Sequence, residues 1–476
     1  MKQQNLPKQE SVFDGNASYI TLIFLFLSFL ARPAMAIDEA STIKALRLSA
    51  SITGGTMPTS DPVFAQMVAQ VQAGNLKGAA TLAAESKYFT NYLAKRLAFQ
   101  MQSPALDETI ALDTDGTAFL IAHFTGAGGN PPSLSTIWSE NQTYLVNVPI
   151  NGVMTPTHIN EVNTLTAKAI SPSSIDWSTQ IVQGGPQQAI DGSNFTYVPV
   201  FYQYVPIPAK HIGGYMTTST ATWNQAFPRV DTSIAAYGAY LGTNLRMVEA
   251  MWEIATGLSL VDFEDTTFST QSLAQAQAVP RFVPENNPNF HVGQRQAACI
   301  ACHGGGLSAL AHGYSAFADV FDYDQNYGFV YNNPATSKTI SRKSLGSNNL
   351  NRSKVLACDL VKTPSLACNA DSAGPDPNQG WDLSSWQSTG ILQTMGWTGP
   401  IKGQGLNQLG VALGRASIVY EFFTKRIVNE ICPVGMFTAT DISNIAAAVN
   451  PYAVPVPGTD DIRTIVEMVA INPTCL

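Results

Sequence analysis

Residues 297–303 read Ala-Ala-Cys-Ile-Ala-Cys-His, and the reading of the fold turns on the last five, Cys299-Ile300-Ala301-Cys302-His303. Two thiols two residues apart, with a histidine directly after the second, form the attachment sequence of a c-type haem. Each thiol adds across one vinyl group to give a thioether, and the adjacent imidazole binds the iron from the proximal side. The two-residue gap supplies one helical turn, which matches the span between the vinyls. Other uses of paired thiols lack their context here. A zinc ribbon needs a second Cys/His pair at ligand spacing. A thioredoxin-like pair needs βαβ surroundings, and a disulfide across two residues is strained. The expectation is one covalent haem c on Cys299, Cys302 and His303, in a cytochrome c-like all-α domain over residues 281–476.

Such a unit is assembled in an oxidising compartment, and the N-terminal region reads independently as an export signal. Ile20 to Leu30 is an apolar run too short for the roughly 20 residues of a membrane span. Lys2 and Lys8 precede it, and the small-x-small site Ala34-Met35-Ala36 follows. Residues 1–36 are therefore expected to be a cleaved signal peptide, placing the mature chain in the periplasm or at the cell surface without a transmembrane span. Four cysteines remain. Of the three possible connectivities, proximity in sequence favours Cys358–Cys368 with Cys432–Cys475.

With His303 on one side of the iron, the residue on the other decides the chemistry. Met395, Met436, His312, His291 and an open position are the candidates. Small c-type cytochromes place this methionine on a loop before a closing helix, and Thr394-Met395-Gly396-Trp397 occupies that place here. Met395 is the provisional distal ligand, although most methionines simply pack in cores. A neutral thioether favours ferrous iron and raises the potential relative to a second histidine.

The chain has 476 residues, of which 45% are hydrophobic and 13% charged, with a formal net charge of -8. No basic block occurs, which argues against a nucleic-acid partner. Residues 37–146 carry helical periodicity. Asp61-Pro62 opens one segment, Phe89, Tyr92, Leu93, Leu97 and Met101 recur at helical spacing, and Ala118–Phe124 forms a short apolar run stopped by Gly126. Residues 147–280 begin with a Pro- and Thr-rich stretch that forbids long helices, with a strand-like piece at Phe195–Tyr204. A helix follows from Ile234 to Ala255, ended by Gly257. Within 281–476, residues 307–320 suggest a helix and 331–385 a polar insertion. Leu406, Leu409, Leu413, Ala416, Tyr420 and Phe423 mark one amphipathic helix, and shorter helices follow at Ile442–Val449 and Ile462–Val469. Asp322-Tyr323-Asp324 begins like a calcium loop, but the glycine and the bidentate acid are misplaced, so a solvated turn is expected. His123, His158 and His211 read as hydrogen-bonded structural residues.

Three stretches of the C-terminal half resemble the exported, planctomycete-type c-type cytochromes built from tandem domains of unknown function. Tyr215-Met216-Thr217-Thr218 with Thr243-Asn244-Leu245-Arg246 resembles a strand-like opening and an Asn/Arg-bearing helix. Ala298 to His303 with Phe317–Gly328 resembles the haem motif and its following helix, and Gly405–Arg426 resembles a closing helix. Trp138–Asn147 is similar to a segment of the family's N-terminal domain. Where the family has Asp-Pro-x-Gly after the motif, Ala311-His312-Gly313 stands here. The resemblance implies an exported single-haem protein. The expected function is one-electron transfer with a redox partner protein or a small-molecule donor or acceptor. A haem oxidase, peroxidase or oxygenase with an open distal site, or a haem-bearing surface-binding module, is the alternative.

Overall fold

The helical periodicity of the first hundred residues becomes a run of consecutive helices, each begun by a side chain that the sequence places for the purpose. Asp38 caps α1 (Glu39–Thr53) by accepting from Ala40 N at 3.2 Å. Asp61 caps α2 (Pro62–Gln72) through Val63 N at 2.8 Å, with Pro62 in the first turn where its missing N–H costs nothing. Asn75 caps α3 (Leu76–Ala84), and Ser86 opens α4 (residues 87–100). Through Thr90–Ala94, α4 widens to π-helical spacing. Its Phe89, Leu93, Leu97 and Met101 are buried, as the spacing requires.

The computed structural model describes residues 38–101, 115–158, 175–191, 204–207, 209, 212–218, 252–258, 321–324, 328–331, 380–383, 387, 390–432 and 435–476. Within them the protein is mainly α, with three small sheets. Helix α5 (Asp115–Thr125) lies against β1 (Thr143–Ile150), whose Tyr144, Val146 and Val148 alternate inward. Asn151-Gly152, both at positive φ, turn β1 into β2 (Val153–Thr157). The one-turn helix α6 (Trp177–Gln180) leads into β3 (Ile181–Gly185), which completes the sheet in the order β2-β1-β3. No long helix occurs among the described residues of 147–218, as the prolines there require.

A second sheet joins distant parts of the sequence. β4 (Gln188–Asp191) pairs antiparallel with β5 (Tyr204–Pro206) and parallel with β7 (Gly328–Tyr331), which forms a hairpin with β6 (Phe321–Asp324). Three expectations are corrected here. The family-like stretch Phe317–Gly328 does not run on as a helix, because Phe321–Asp324 and Gly328–Tyr331 pair as antiparallel strands. Asp322 and Asp324 are accordingly ladder residues, where a solvated turn was expected. Tyr215–Thr218 is not strand-like, because Gly214–Thr217 forms a buried 3-10 turn.

Residues 252–256 form α7, ended as expected by Gly257 at positive φ. β8 (Gly380–Asp382) and β9 (Lys402–Gln404) flank α8 (Ile391–Thr394). The single helix expected across Leu406–Phe423 is two: α9 (Gly405–Leu413) and α10 (Ser417–Ile431). Gly410 and Gly414 lie directly on the backbone carbonyls of Trp138 and Ser135, leaving no room for a Cβ. Ala416, extended, then restarts the helix. α11 (Ala439–Val449) opens with a capping box of Thr438 and Asp441, and α12 (Ile462–Ala470) buries Ile462, Ile465, Val466 and Val469.

The two ends of the sequence share one core. α12 packs on α3 as well as on α10 and α11, and also meets α1 and α5. Asp460 accepts from Ser135 N at 2.9 Å and from the hydroxyls of Ser133 and Ser135, while its carbonyl takes Leu134 N. Glu430 pairs with Arg96 at 2.5 Å, and Arg47 donates to the carbonyl of Leu476 at 2.8 Å. The expected Cys432–Cys475 bridge is present. Residue 146, the expected boundary, lies inside β1, and α12 packs on α1, α3 and α5. No helix among the described residues is long and apolar enough to cross a membrane.

Candidate functional site

Cys299, Cys302 and His303 lie outside the described residues, as do His291, His312, His211, Cys358 and Cys368. Met395 and Met436 are described, and the fold separates their roles. Met436 is half exposed between α10 and α11. Met395 is fully buried at the C-terminal end of α8. Its N–H donates to the Ile391 carbonyl at 3.0 Å, and its own carbonyl accepts from Ile418 N at 3.2 Å. The carbonyl of Gly396 takes Ser417 N. The methionine is thus held on the first turn of α10, and does not sit on a free loop.

The neighbouring Trp397 extends this corner into an aromatic cluster. Its ring packs against that of the buried Trp252, on α7, at 6.0 Å between centroids. One turn later in the chain, Gly257 lies against the Phe422 ring of α10, with no space for a side chain. The guanidinium of Arg426 stands 4.4 Å over that same ring, as the i,i+4 spacing on α10 allows. Its Nη1 is buried and makes no hydrogen bond, and Arg426 forms no ion pair among the described residues. Burial pulls its pKa down to about 10, against the opposing influence of Tyr215 and Glu253. Tyr215 is itself fully buried and donates its hydroxyl to the Met101 carbonyl at 3.2 Å.

Sequence reading missed Arg426. A basic residue near the end of an amphipathic helix reads as solvated, and only the Phe422–Arg426 spacing hinted otherwise. An unsatisfied buried N–H is costly, so a cation left with one is an observation that asks for a partner. Within the fold, Met395 and Trp252 are packed, and Arg426 keeps one buried N–H without an acceptor.

His123 and His158 are hydrogen-bonded, as expected. His123 places Nδ1 2.9 Å from the Phe119 carbonyl and Nε2 2.6 Å from Glu140. Asn130 and Tyr144 donate to the same carboxylate. Burial works to raise the pKa of Glu140, but His123, Tyr144 and Asn130 together outweigh it and hold the carboxyl below its ordinary value. Burial and the facing carboxylate push the Tyr144 phenol up. His158 pairs with Asp115 at 2.8 Å. Both pairs fasten α5 to the strands beside it. Among the described residues no three His, Cys, Asp or Glu side chains converge as a metal site.

No protein-family model matches the chain, and neither a curated protein nor a solved structure matches it significantly.

Proposed function

We propose that this protein is an exported c-type cytochrome with one covalent haem, whose activity is one-electron transfer. The observation that carries the reading is Cys299-x-x-Cys302-His303, downstream of a segment with the features of a signal peptide. The Cys432–Cys475 bridge agrees with an oxidising compartment. The resemblance of the C-terminal half to planctomycete-type cytochromes supports the same assignment. The haem-bearing part is read as cytochrome c-like, joined to the N-terminal helices through the common core.

Cys299 and Cys302 would hold the group through thioethers, and His303 would supply an imidazole nitrogen to its iron. When bound, the group supplies reversible ferric–ferrous exchange at a potential set by its ligands and burial. Met395 is the proposed second ligand; its burial excludes water and its soft sulfur favours the reduced state. The donor or acceptor of that electron would be a redox partner protein or a small molecule.

Expression in a host that matures c-type cytochromes tests the reading. The purified chain should carry the added mass of one haem, and Cys299→Ala/Cys302→Ala should abolish it. A wild-type chain of unmodified mass overturns the reading. One observation favours a haem enzyme with an open distal site instead: Met395 already serves as a packed core residue. Carbon monoxide separates the two. With Met395 on the iron, the ferrous spectrum changes little until Met395→Ala opens the site, whereas immediate binding by wild type supports the enzyme. Truncation of this buried side chain should also cost about 2–5 kcal/mol of stability, a separate readout that ligation alone does not explain.

A further inference from the structure

We propose that Asn151-Gly152, the turn between β1 and β2, is a self-modifying site that loses its carboxamide as ammonia and ends as aspartate or isoaspartate. It is the one place in the sequence where glycine directly follows asparagine. Both residues are exposed at the tip of the hairpin, at φ of 52° and 81°. Neither reacting group is engaged. The Asn151 side chain makes no hydrogen bond among the described residues. The ladder closes between Ile150 and Val153, so the Gly152 N–H falls outside it and donates to no described carbonyl. A Cβ built on Gly152 would meet nothing within 4 Å, so the approach to that nitrogen is open. Several other described asparagines lack this combination. Asn130, Asn450 and Asn472 precede proline, which has no N–H. Asn444 is exposed, but the amide that follows it lies inside α11. Asn141 is held by the Gln187 N–H at 2.8 Å.

Water is the only co-reactant. The Gly152 nitrogen, once deprotonated, attacks Asn151 Cγ. The N–Cγ bond forms, the Cγ–Nδ2 bond breaks, and ammonia leaves with the displaced proton. Water then opens the resulting succinimide at either carbonyl. Opening at Cγ leaves aspartate, opening at the main-chain carbonyl leaves isoaspartate, and nothing is oxidised or reduced. Isoaspartate carries an extra backbone carbon through a turn of only two residues, so Ile150 and Val153 no longer meet in register. β2 is an edge strand whose ladder partner is β1, and the product therefore loosens it.

The test incubates the purified full-length chain, native and in denaturant, at mildly alkaline pH. The peptide holding residue 151 is followed by its mass and by labelling with an isoaspartyl methyltransferase. In the native chain Asn151 should convert ahead of every other described asparagine, at a rate that rises in proportion to hydroxide. Asn151→Gln, whose attack would have to close a larger ring, should keep its amide. If the native chain keeps the Asn151 amide while the denatured chain converts, the fold protects the turn and the inference is overturned. An amide that persists in both overturns it as well. Hydrogen exchange reads the consequence. The amides of Val153, Thr155 and Thr157 should exchange several-fold faster in the converted chain, and unchanged exchange overturns the loosening of β2.

Discussion

Glu140 gathers His123, Tyr144 and Asn130 around one carboxylate, three-quarters buried at the end of α5. Its folded pKa lies below the ordinary glutamate value of 4.5. Its stabilisation is therefore fully present above that value and is lost as pH falls through the folded pKa. Glu140→Gln should melt earlier than wild type at pH 7, and the two melting curves should converge in acid; a constant gap at every pH would contradict this. Gly414→Ala tests a different kind of residue, since a Cβ there collides with the Ser135 carbonyl. The expected loss is about 1–3 kcal/mol in denaturant unfolding. The histidine partnerships were legible as a type, because isolated histidines in apolar runs need acceptors. Neither Glu140 nor the orphaned Arg426 was legible. Both depend on groups far away in sequence, and no local periodicity encodes such a meeting.

Helices were the most legible elements, and caps explain why. Asp61-Pro62 and Thr438 with Asp441 announce their helices within four residues. Thr438→Ala should destabilise the protein by about 1 kcal/mol through loss of the α11 box, visible as a lower denaturation midpoint with an unchanged slope. The stripe Leu406, Leu409, Leu413, Ala416, Tyr420, Phe423 was misleading at the same scale. Its spacing continues through the break, which falls after Leu413, where Gly414 presses on the Ser135 carbonyl and Ala416 is extended. The hairpin β6–β7 was missed for a related reason. Phe321–Asp324 alternates for only four residues and Gly328–Tyr331 does not alternate at all, too little to outweigh a family-like expectation of helix.

At the scale of the molecule, Cys432–Cys475 closes a loop with a sequence separation of 43 residues and ties α12 to the end of α10. Cys432→Ser/Cys475→Ser should cost about 2–4 kcal/mol, measured by thermal or denaturant unfolding beside the oxidised wild type. The pairing followed from proximity in sequence. The shared core did not, because composition shifts at 147 suggested a boundary, whereas the contacts of α12 with α1, α3 and α5 are set only by the finished fold.

The seat of α12 on α3 also imposes an order of events at birth. The apolar side of α3 is finished early, and the helix that covers it leaves the ribosome only after most of the polypeptide. At about 5–20 residues per second that interval lasts some tens of seconds. Throughout it, the part of α3 that α12 covers in the finished fold lacks that cover.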